Sequence, residues 1–161
     1  MYKVGDKILY PTHGAGIIRE IVSRKVDGST KSYYIMYMPP HGMKVMIPVD
    51  TGDEIGIRLI ISKEEGSEVL KRFRSEPIVP NDNWNRRHRD NMAKIRSGDI
   101  YRVLDVVKYL MYMDKKKGLS TSERKMLCDA KQIFVSELAM SEVAEREDIE
   151  SIMEDTISEL L

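Results

Sequence analysis

The residues with the clearest capacity for chemistry lie together in "PNDNWNRRHRDN", Pro80 to Asn91. The stretch holds the only tryptophan of the chain, Trp84, followed by Arg86, Arg87, His88 and Arg89. Guanidinium groups grip phosphates through charge-assisted hydrogen bonds. An apolar ring can enter a minor groove at an unstacked base step. Backbone amides at a helix start favour a phosphate as well. The same residues also fit a plain core. At about 100° per residue, Trp84, His88, Met92 and Ile95 share one helical stripe, and such stripes usually face inward. Trp84 stands at the very start of that helix, where a ring can project past the core. On these residues alone both readings stand.

Other candidate chemistry is thinner. "DTG" at Asp50 to Gly52 is the short signature of aspartic proteases, in which two aspartates share a proton. One copy would require a homodimer, and Asp53 and Glu54 crowd the site, so a polar turn between strands is the simpler reading. "GAG" at Gly14 to Gly16 lacks the glycine spacing of a phosphate loop and precedes β-type residues; it reads as a turn or bulge. His13, His41 and His88 have no partner at metal-ligand spacing. No serine sits in a nucleophile elbow. The chain is read as a non-enzyme, with no cofactor and no metal expected.

The elements that must position these residues fall into two halves. Residues 1 to 61 read as short strands: "DKILYP", "GAGIIREIVSRKV", "KSYYIMYM", "MKVMIPV" and "IRLII". Asp27-Gly28 marks a tight hairpin, "PPHG" a turn at Pro39 to Gly42, and "TGDEIG" another. On "MKVMIPV", Met43, Val45, Ile47 and Val49 share one face, and Lys44, Met46 and Pro48 the other. Tight antiparallel connections predict a small barrel. From Ser62 the period is helical. A short helix covers "KEEGSEVLKRF", and "SEPIVPNDN" links it to a helix from Trp84 to Ser97. Further helices run over Asp99 to Lys117, over "SERKMLCDAKQIFVSELAM" and near the C-terminus, with Gly98 and Gly118 as stops. Ser120-x-x-Glu123 suggests a capping box. The fold class expected is α+β in two domains: an antiparallel barrel over 1–61 and an all-α bundle over 62–161.

Composition sets the outer bounds. The 161 residues are 42% apolar and 32% charged, with a formal net charge of zero. That total conceals a basic stretch at Arg86, Arg87, Arg89, Lys94 and Arg96 and an acidic C-terminal run beginning at Glu137. Such asymmetry can mark an interaction surface, or simply two solvated helix faces. No run reaches the ~18–20 apolar residues of a membrane span, and no signal peptide is evident. The single cysteine, Cys128, cannot pair internally, which suits a reducing compartment. Its apolar context "KMLCDAK" suggests a buried small hydrophobe.

Three stretches, "VGDKILYPTHGAGII", "NWNRRHRDNMAKIRSGD" and "KKKGLSTSERKMLCDAKQI", together resemble the CarD-like (CarD/CdnL) family of bacterial transcription regulators. The first stretch is shared with the polymerase-interacting domain of transcription-repair coupling factors; the other two are more specific. The resemblance implies a Tudor-like N-terminal domain that binds the β subunit of bacterial RNA polymerase. It also implies a helical C-terminal domain that contacts promoter DNA at the upstream edge of the transcription bubble. Carried over by position, Trp84 matches the minor-groove wedge, and Arg86, Arg87 and Arg89 match its basic neighbours. Arg24 matches a polymerase-contacting residue. Met46 stands where the family often has a second basic residue, with Lys44 nearby on the same strand face as a possible substitute. The expected function is stabilisation of the open promoter complex by a cytoplasmic monomer, nucleoid-associated through polymerase and without membrane contact. DNA affinity should be weak without polymerase. The alternatives are an adaptor that binds polymerase without touching DNA, and the dimeric protease.

Overall fold

The computed structural model describes residues 1–40, 42–80 and 83–161. His41, within the expected "PPHG" turn, and Asn81 and Asp82, within the expected link before Trp84, lie outside the described residues. Five antiparallel strands come first: β1 (Lys7–Tyr10), β2 (Gly14–Val26), β3 (Ser29–Met38), β4 (Met43–Pro48) and β5 (Arg58–Leu59). Their order in the sheet is β4-β3-β2-β1-β5. "IRLII" thus contributes only Arg58 and Leu59 as strand. The "DTG" segment is helical, with a 3-10 turn at Val49–Thr51 followed by α1 (Gly52–Ile55).

The long hairpin forms where its turn residues direct. Asp27 and Gly28 both have positive φ, 50° and 79°, and Val26 pairs with Ser29 across them. Such a turn follows the natural strand twist. Side chains alternate across a strand, and β3 does so strictly: Tyr34, Met36 and Met38 are buried. They pack with Ile8, Ile18, Ile47 and Ile57 into one apolar cluster enclosed by the sheet.

Helices α2 (Lys63–Ser75), α3 (Trp84–Arg96), α4 (Ile100–Lys116), α5 (Thr121–Met140) and α6 (Arg146–Leu160) form the second part. Four of them are capped by side chains the sequence places there. Ser62, Asn83, Asp99 and Ser120 accept backbone N–H bonds from Glu65, Arg86, Tyr101 and Glu123 respectively. Each such cap contributes about 1 kcal/mol. The stripe of α4 (Ile100, Val103, Leu104, Val107, Leu110, Met111) is buried throughout. On α6, Ile149, Met153 and Ile157 are buried, while Leu160 at the end of the stripe is exposed.

Two expectations fail for the same geometric reason. Cys128 is exposed. The inward positions of α5 are Met126, Ala130, Ile133, Phe134 and Leu138, and a residue two beyond Met126 turns about 200° away from it. Apolar neighbours in sequence are not neighbours on a helix face. The acidic C-terminal run is not uniformly solvated either, because Glu137 is 1% exposed.

Glu137 joins the two parts. Strand β1 is buried on both sides: Ile8 faces the sheet's cluster, and Leu9 belongs to the helical core together with Ala15 of β2. Helix α5 therefore lies directly on the sheet. Ser136 Oγ accepts the Ala15 N–H at 3.0 Å. Gly14, at φ +116°, has no room for a side chain, since a Cβ there would stand 2.9 Å from Ser136 Oγ. The "GAG" segment is thus the seat of α5. Arg58 then reaches from β5 to both Glu137 oxygens, at 2.6 and 2.8 Å. Its Nε and Nη2 also donate to the Gly98 carbonyl between α3 and α4. The Ile61 N–H donates to the same carboxylate at 2.9 Å.

Removing one partner of a buried ion pair strands the other. We expect Arg58→Ala to lower unfolding free energy by about 3 kcal/mol in urea denaturation. Replacing both residues, Arg58→Met with Glu137→Leu, should recover only part of that loss, because the Gly98 carbonyl and the Ile61 N–H then lose their partners. A loss below about 1 kcal/mol for Arg58→Ala would mean the pair is no more than a surface contact.

Candidate nucleic-acid interface

Helix α3 begins where Asn83 accepts the Arg86 N–H at 3.1 Å. Its inward residues are Asn91 and Ile95, which rest against α4 with Met92 at the margin. The buried line therefore runs through Arg87, Asn91 and Ile95, one step around the helix from the stripe through Trp84. The indole of Trp84 is 44% exposed and takes no part in the helical core. It stacks on His88 one turn later, with ring centroids 5.2 Å apart and planes 19° from parallel. That stack orients the ring without burying it.

The three arginines beside Trp84 differ in their surroundings. The Arg86 side chain is 72% exposed and has Asp90 at 3.9 Å, a distance at which the pairing is weak. Arg89 is exposed. Arg87 points the other way and forms a two-pronged pair with Glu123 of α5, Nε to Oε2 at 3.0 Å and Nη2 to Oε1 at 3.1 Å. Both side chains are largely buried, at 15% and 7% exposure. Bonding to Glu123 raises the Arg87 pKa above its ordinary value. Its raised folded pKa contributes stability at all pH values below the unfolded pKa, hence throughout the physiological range. Ser120 caps α5 through the Glu123 N–H, so half of the capping box is present. The Glu123 carboxylate serves Arg87, a partner 36 residues away in sequence.

The second candidate surface is the outer face of the sheet. Arg24 lies opposite Lys31, Met46 opposite Ile35, and Lys44 opposite Tyr37. Lys31, Ile35 and Tyr37 share one face of β3 by alternation, the face away from Tyr34 and Met36. Arg24, Lys44 and Met46 are therefore on that same outer face. Four β3 residues separate the levels of Arg24 and Met46, about 13 Å along the strand. Arg19, at a β-bulge, lays its guanidinium over the Tyr37 ring at 4.1 Å. Met46 is 43% exposed, and β4 forms one edge of the sheet.

The family description "CarD, C-terminal domain" matches residues 68–154, and "CarD-like/TRCF RID domain" matches residues 2–61. The chain belongs to the CarD-like family. A curated relative from Bacillus subtilis (strain 168), described as "Putative transcription factor YdeB", is 36% identical over 141 residues. The matched region covers 86% of this chain and 90% of the relative.

Residue types alone do not divide the arginines of this CarD-like chain. The missed signal is Glu123, an acidic residue placed on the inward side of α5 beside Met126 and Ala130. We expect Arg87→Met to destabilise by about 2–3 kcal/mol, because it leaves a buried carboxylate unmatched. Arg86→Ala and Arg89→Ala should stay within about 0.5 kcal/mol. Thermal and urea unfolding of the three variants checks this order.

Proposed function

We propose that this CarD-like protein is a transcription regulator that docks on RNA polymerase through its sheet and stabilises the open promoter complex through α3. The observation that carries the reading is the state of Trp84: a large ring, nearly half exposed, held by a stack on His88 and flanked by exposed Arg86 and Arg89. Exposing such a ring forgoes burial worth roughly 2 kcal/mol. A binding role accounts for that sacrifice. Arg86 and Arg89 meet phosphates, Trp84 enters the minor groove at the fork, and Arg87 holds α3 on the bundle.

The regulation is a population shift. A ligand moves an equilibrium only by binding one state better than the other. A ring that inserts where base pairs are already parted has that preference for the open complex. About 1.4 kcal/mol of preference changes the open-to-closed ratio tenfold. Two or three phosphate contacts give modest affinity and marked salt dependence. Docking on polymerase supplies the effective concentration that weak DNA contacts require. The match to a domain type shared with transcription-repair coupling factors supports polymerase as that partner. On the sheet, Arg24 and Lys44 would provide charge and Met46 apolar area. The free edge of β4 can add a strand of the β subunit by main-chain hydrogen bonding.

Trp84→Ala should leave circular dichroism and melting temperature unchanged while removing the gain in open-complex lifetime in a promoter assay. If that variant unfolds the helices instead, Trp84 is a core residue and the proposal fails. Arg24→Glu should weaken capture of the β subunit at least about tenfold with no change of fold. Footprinting of the polymerase–promoter complex separates this reading from an adaptor without DNA contact. Protection at the upstream edge of the bubble is expected here and absent for the adaptor.

A further inference from the structure

A cleft of about 580 Å3 runs along the flank of α3, bounded by α4 and by the extended segment from Glu76 to Pro80. Asn91 lines it. This side chain is 6% exposed, and its amide nitrogen has no hydrogen-bond partner among the described residues. Leaving a buried donor unpaired costs about 1–3 kcal/mol, so native structures rarely keep one without a purpose. Asn91 is seven residues beyond Trp84, two helical turns along the same element.

The rest of the lining narrows what could answer that donor. Pro77, Ile78 and Pro80 provide apolar surface on one side, with Leu104 and the Tyr109 ring on the other. The charged lining is mixed, with Glu76, Asp90 and Asp105 beside Arg86, Arg87, Lys94 and Lys108. Burial raises the Asp105 pKa and lowers that of Lys108, whose ammonium donates to the Glu76 carbonyl. Asp90 and Asp105 lie 3.9 Å from Arg86 and Lys94, so the lining charges largely answer one another, and a purely apolar ligand would leave the Asn91 donor unanswered. A neutral, flat group with hydrogen-bonding edges suits both constraints. Arg86, exposed at the rim, is placed for one phosphate attached to such a group.

We propose that this cleft receives an unstacked nucleobase from the promoter strand parted beside Trp84, with the Asn91 amide on the base edge and Arg86 on its phosphate. The inference rests on the reading of α3 as the DNA-contacting element. Sandwiching between flat side chains, together with edge recognition, is how proteins hold an extruded base. An asparagine amide matches adenine best, donating to N7 and accepting from N6.

The test titrates the full-length protein with deoxyadenosine monophosphate and follows the Asn91 side-chain amide by NMR. A saturable shift of that signal is expected, larger than with thymidine monophosphate. Asn91→Leu, which removes the orphaned donor at similar volume, should keep its melting temperature and bind the nucleotide about tenfold more weakly. Should that variant fail to fold, Arg86→Ala supplies the second test, with nucleotide affinity expected to fall. No shift up to millimolar nucleotide overturns the proposal. So does an equal shift with deoxyribose 5-phosphate, which has no base. The two levels fail separately. If the nucleotide reaches Asn91 but Trp84→Ala leaves open-complex lifetime unchanged, the promoter is overturned as the source of the base. If Trp84→Ala shortens that lifetime but no nucleotide reaches Asn91, the cleft is overturned and the wedge stands.

Discussion

The guanidinium of Arg58 holds three parts of the molecule at once. It stands on the last strand of the sheet, grips the Glu137 carboxylate of α5 with two bonds, and donates to the Gly98 carbonyl at the end of α3. Glu137 is nearly inaccessible to water. A buried carboxylate is tolerated only when its charge and lone pairs are answered, and Arg58 together with the Ile61 N–H answers them. The pairing also requires close approach of sheet and helix, which Gly14 and Ala15 permit. The sheet's outer face and the exposed end of α3 are consequently fixed relative to each other. The proposed tethering of one surface and insertion of another would depend on that rigidity, because effective concentration is lost when the two sites cannot be engaged together.

Within α3 the same economy of charge separates a buried arginine from exposed ones. Arg87 is drawn inward by Glu123 and fastens the helix. Arg86 and Arg89 remain outside, and among the described residues Arg86 has a long contact with Asp90. Trp84 rests on His88 in place of the core. Trp84 thus lies outside the buried line of α3 that packs on the bundle. Among the described residues, the Asn91 amide and His88 Nδ1 are the buried side-chain polar atoms left without partners, and both belong to α3.

Much of the architecture was legible in advance. Asp27-Gly28 imposed the hairpin, the helices lie near their expected bounds, and Ser120 caps α5 as its capping-box spacing suggested. These features are local, set by backbone sterics and side-chain periodicity over a few residues. The family membership was legible too, because its motifs are contiguous. Cys128 was misjudged because neighbours along a chain are not neighbours around a helix. Arg87 and Glu123 were each assigned a local role, phosphate contact and capping box, when their strongest visible bonds are to each other.

The sequence by itself determined a strand half, a helical half, and a tryptophan set among cations at a helix start. Periodicity and turn chemistry suffice for that. It did not determine which face of α3 met the bundle, and a shift of one position moved Trp84 from the core stripe to the surface. Only the tertiary structure decided that, through contacts between residues far apart in the chain: Arg87 with Glu123, and Arg58 with Glu137. Such pairings are chosen by the desolvation of charges when helices close on one another, and nothing in a local window records that cost.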